Sequence, residues 1–91
     1  MRYVYPAIIY KKKNDKFHCV YVPDIDSATQ GENITECLEM AKDLIRIEII
    51  DKGDSITKPF TIKNKNFYGF TDEDIEEKIL VDIDTDDFEL Q

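Results

Sequence analysis

Among the twenty carboxylates of this chain, two short sets of alternating aspartates stand out. Asp24 and Asp26 stand two apart behind Pro23, and Asp82, Asp84 and Asp86 alternate further along. Carboxylates grouped in this way have three uses. They hold a divalent cation through oxygen ligands; they shape a turn by bonding to nearby backbone amides; or they present charge to a basic macromolecule. The run "DIDTDD" opens like a calcium loop, but it lacks the central glycine and no glutamate closes it. On a strand, alternate aspartates share one face, and solvated charge is their ordinary state. Asp24 and Asp26 belong to a turn between strands. An accessible turn tip gives them the better claim to partner contact, with turn shaping as the competing use.

The remaining reactive side chains are few. His18 is the sole histidine, and Cys19 and Cys37 are the only cysteines. A nitrogen and sulfur metal site needs more ligands than these three supply, and neighbouring strand residues point to opposite faces. Cys37 falls on the apolar stripe of a helix, a poor place for a nucleophile. The two thiols read as buried and unbridged, which fits a reducing, cytoplasmic setting. The three glycines are isolated, so no phosphate-cradling loop can be written. No metal, cofactor or catalytic set is therefore expected, and the chain does not read as an enzyme.

These residues must be held by a small set of elements. Tyr3–Tyr10 and Lys16–Val22 are rich in β-branched and aromatic residues, and "KKKND" between them reads as a hairpin connection. Pro6 inside the first strand implies an exposed side or a bulge there. "SATQG" makes a short third strand, with Gly31 turning the chain. Asn33 is a good N-cap, and Glu36 three residues on completes a capping box. From there Ile34, Cys37, Leu38, Ala41, Leu44, Ile45 and Ile49 mark one apolar stripe, which runs to about Ile50 before Gly53 stops the helix. Thr71 with Asp74 predicts a short helical turn through "DEDIEEK", and Ile79–Asp84 a further strand. The expectation is a single α+β domain spanning residues 1–91, with a mainly antiparallel sheet of three to four strands and one long helix on one face.

Both early strands carry apolar or aromatic side chains on both sides. One helix covers one face, so the other is closed by the aromatic segment Thr61–Phe70 or meets another chain. Self-association is expected on this ground. The formal charge of −8 in 91 residues repels nucleic acid and favours basic partners. No segment is apolar for long enough to span a bilayer, and the start, "MRYVYPAIIY", reads as a strand instead of a leader.

The pieces "YVYPAIIY" and "FHCVYVPDIDSATQGENITECLEMAKDLIRIEI" resemble the N-terminal domain of the HicB family of antitoxins. The shared features are Tyr5-Pro6 in the first strand, Pro23-Asp24 closing the second, Thr29-Gln30-Gly31, and an amphipathic helix from Asn33. The match covers Met1 to Gly53, and more weakly reaches Asp84. The resemblance implies a partial RNase H-like fold of three strands, a helix and a further strand. It implies an antitoxin that binds and blocks a small basic messenger-RNA ribonuclease of the HicA family. The fold name carries no activity with it, since RNase H catalysis needs carboxylates that hold paired metal ions. The family's Leu-Pro-Gly-Cys turn is here Ile25-Asp26-Ser27-Ala28. Many members continue into a DNA-binding domain, and none is expected within these residues. Asp24 and Asp26, with Tyr10 and Tyr21 as aromatic contacts, are the expected partner-binding residues. The competing readings are a self-associating domain without a toxin and, more remotely, a metal-dependent nuclease.

Overall fold

The computed structural model describes residues 2–59 and 72–87. Four strands and one long helix make an α+β fold: β1 (Arg2–Tyr10), β2 (His18–Val22), β3 (Ser27–Gly31), α1 (Ile34–Lys52) and β4 (Ile75–Asp84). The sheet is antiparallel throughout, in the order β3-β2-β1-β4. The aromatic segment Thr61–Phe70, expected as a cover for the second sheet face, lies outside the described residues.

Alternation along β1 decides which face is the core. Tyr3, Tyr5, Ala7 and Ile9 point to one side, joined by Val20 and Val22 from β2 and Val81 and Ile83 from β4. Against them α1 lays Cys37, Ala41, Ile45 and Ile49, a row with a spacing of four. Each large aliphatic side chain buried here stabilises the fold by roughly 1.5–3 kcal/mol. Tyr5 is wholly enclosed, and its hydroxyl donates to the Thr57 carbonyl at 2.8 Å, so the polar end of a core residue is satisfied.

Pro6 fits because of where β1 changes partners. β2 pairs with β1 only over Ile8–Tyr10, whereas β4 pairs along its whole length. Pro6 therefore lies beyond the last β2 rung. Opposite it stands Leu80. Proline has no N–H to exchange, so this pair is of the non-hydrogen-bonded kind. Leu80 must then aim its own N–H and C=O away from β1. The expected irregularity also exists, displaced to the Ile9/Tyr10 end of the β1–β4 ladder.

The N-cap of α1 forms at Asn33 as its sequence dictates, while the reciprocal bond of the capping box falls one residue earlier, on Glu32. Asn33 accepts a hydrogen bond from the Glu36 amide at 2.8 Å, and the Glu36 carboxylate accepts from the Glu32 amide at 3.2 Å. Gly53 closes the helix with φ of +53°. Three expectations need correction. Gly31 does not turn the chain; it is the last residue of β3, and its role is close approach. A Cβ there would lie 2.8 Å from the Cys37 backbone nitrogen. The expected helical turn through Lys78 is confined to a 3-10 turn at Asp72–Asp74, and Ile75–Lys78 are strand, because pairing with β1 overrides local propensity. β2 starts at His18, two residues later than expected.

Candidate interaction surface

The side of the sheet away from α1 carries Val4, Pro6, Ile8 and Tyr10 from β1 and Cys19 and Tyr21 from β2, the residues that alternate with the core set. Lys78, Leu80 and Asp82 from β4 lie opposite Ile8, Pro6 and Val4 on this face. Ile8 and Tyr21 are buried there and form a small second cluster with Tyr10 and Ile75. Burial, followed by the neighbouring Cys19, pushes the Tyr10 hydroxyl above the usual tyrosine range. Tyr10 and Tyr21 thus share the non-helical face, where Tyr21 is buried and Tyr10 half-buried.

The two turn aspartates part company. Pro23–Ile25 winds into a 3-10 turn, and Asp24 is 3% exposed within it. The expectation that both present charge at an accessible tip is corrected for Asp24: the turn folds its side chain inward. Asp26 is exposed, and its backbone is left-handed, with φ and ψ both 48°. An aspartate tolerates that conformation better than most residues. Its carboxylate accepts the Tyr21 hydroxyl at 2.8 Å. Tyr21 and Asp26 therefore form one unit, with the acid held at the rim of the sheet face.

His18 and the cysteines do not converge. The His18 ring Nδ1 is hydrogen-bonded to Glu76, next to the irregularity of β4. Cys37 faces the core from the first turn of α1 and donates to the His18 carbonyl at 3.5 Å; burial raises its thiol above the ordinary range. Cys19 is on the opposite face, beside a depression lined by Asp15, Lys16, Phe17 and Gln30. Both are free thiols. Among the described residues no three His, Cys, Asp or Glu side chains gather as a metal site. No helix among them is long and apolar enough to cross a membrane.

Two features escaped the reading of the sequence. The first is the outer margin of β4, where Leu80 is 62% exposed between Lys78 and Asp82. Arg2 reaches Asp82 with both Nε and Nη2, and this holds the Asp82 carboxyl below its usual range. The only signal was the two-sided apolar run Ile79–Leu80–Val81. The second is on α1, where Met40, Ile47 and Ile50 are exposed at 38%, 63% and 67%. Their spacing sets them together on the helix side away from the sheet. No family model, curated protein or solved structure matches the chain.

Proposed function

We propose that this chain is an antitoxin of the HicB kind, which neutralises a small basic messenger-RNA ribonuclease by covering its surface. The observation that carries the reading is an acidic excess mounted on a rigid four-stranded platform. The net charge is −8, and β4 alone bears Glu76, Glu77, Asp82 and Asp84 against a single lysine. Such a surface attracts a nuclease that is itself built to hold phosphate, and it speeds the encounter. The order of elements, three strands, a helix and a strand, also agrees with what the family resemblance implies.

In this reading the chain acts by occlusion and performs no chemistry. It has no cofactor and does not bind nucleic acid directly. Asp26 and Tyr10 remain the proposed contacts; Tyr21, at 8% exposure, is corrected to a buried residue that holds the Asp26 carboxylate in place, and Asp24 serves to shape the turn. Homo-oligomerisation is part of the proposal, and the exposed Met40, Ile47 and Ile50 favour it, because three large apolar side chains on one helix side gain by burial.

Co-expression with a small basic messenger-RNA ribonuclease of the HicA kind tests the reading. Growth rescue together with co-purification of the two chains is the expected result. Continued toxicity, or cleavage of RNA by the purified chain alone, would overturn it.

A further inference from the structure

We propose that the outer edge of β4 is a docking rail for an extended basic segment of the partner, which adds to the sheet as a fifth strand. This rests on the reading above that the partner is basic, and it specifies how that partner is held.

Four observations converge on this edge. First, among the described residues β4 is the last strand of the sheet on its side, and at ten residues it is twice as long as β3 on the other side. Second, the rung between Pro6 and Leu80 sets the direction of the backbone. Because Leu80 turns its N–H and C=O outward, strand alternation does the same for Lys78 and Asp82 in the regular part of the ladder. An edge whose backbone groups point away from the sheet is a template for another strand. Third, the side chains of these residues and of Asp84 stand on the non-helical face in the order Lys78, Leu80, Asp82, Asp84. They specify a complement: an apolar residue against Leu80, and arginine or lysine against Asp82 and Asp84. Fourth, Glu76 and Glu77 extend the acidity along the strand, and Asp86 follows in the next turn, its amide donating to Asp84 at 3.0 Å.

The charges also select among occupants. A second copy would bring four more strand carboxylates against these four, and charged edges of this kind oppose edge-to-edge pairing between identical chains. A cationic strand meets no such repulsion. Arg2 already satisfies part of Asp82, so the incoming cation shares that carboxylate, whose two oxygens can accept several donors.

The test uses the full chain and an acetylated, amidated synthetic peptide of about seven residues. The peptide carries arginine at alternate positions at one end and valine at the position opposite Leu80. A twin peptide has its edge-facing amides N-methylated, which keeps the charge but removes the strand hydrogen bonds. Amide hydrogen exchange read by NMR should slow at least about tenfold at Lys78, Leu80 and Asp82 when the first peptide saturates. The twin should bind at least about tenfold more weakly, as should the first peptide to an Asp82→Asn/Asp84→Asn variant. Equal binding of the twin, protection on β3 instead, or no binding at millimolar peptide would each overturn the proposal. So would a free chain that already dimerises through the same amides. If the peptide binds as expected but no basic ribonuclease is neutralised, the antitoxin reading fails by itself. If a ribonuclease is neutralised while β4 amides exchange unchanged, only the docking rail fails.

Discussion

Asp24 and Asp26 have the same side chain, are two residues apart, and do opposite work. Burial makes Asp24 structural, so Asp24→Lys should lower unfolding stability by about 2–4 kcal/mol, the range for a polar or charged group misplaced in an interior. Asp26→Asn retains a left-handed-tolerant residue and an acceptor for the Tyr21 hydroxyl, and it removes only the charge. It should leave urea unfolding almost unchanged but slow association with a basic partner at low salt; an unchanged association rate would remove Asp26 from the interface. Tyr5 gives a pH prediction with a defined sign. Burial is the main reason its hydroxyl is pushed up from 10.0 to about 12, so the folded state prefers the neutral phenol. The stability this contributes is complete below pH 10 and is lost as pH rises toward 12. Chemical denaturation across that window should show the wild type losing more stability than Tyr5→Phe. Equal losses would mean that the phenol ionises as freely in the folded state as in the unfolded one.

At the scale of elements, the helix and the third strand are joined through one missing side chain. The 2.8 Å approach of a virtual Gly31 Cβ to the Cys37 nitrogen involves backbone, which cannot swing aside. Gly31→Ala should therefore cost about 1–3 kcal/mol by overpacking, measured as a lower urea midpoint with an unchanged slope. Asn33→Ala, which deletes the bond to the Glu36 amide, should cost about 1 kcal/mol in the same assay. The helix was legible because capping box, apolar spacing and terminal glycine all agree over Asn33–Gly53. β4 was half legible. Ile79–Asp84 has the strand pattern, but Ile75–Lys78 is acidic and capped like a helix start, and only the long ladder with β1 makes it extended. Gly31 was noticed for the wrong reason, since a sequence does not record how closely two backbones pass.

At the scale of the whole molecule, charge is the property that acts at a distance. With a net charge of −8, association with a cationic partner should slow steeply as salt rises from about 0.05 to 0.5 M, because screening shortens to a few ångströms. Stopped-flow rates that ignore ionic strength would show that the partner is not steered by charge. The amino-acid sequence alone determined the acidic character, the α+β class and the amphipathic helix from Asn33, since each depends on residue type and local period. Only the tertiary structure decided which face of β1 the helix covers, that Asp24 turns inward while Asp26 stays at the rim, and that Leu80 offers its backbone to the outside. Those outcomes depend on which strands pair and in what register. Register is settled by contacts between residues some seventy positions apart, as Pro6 and Leu80 are, and no local pattern encodes it.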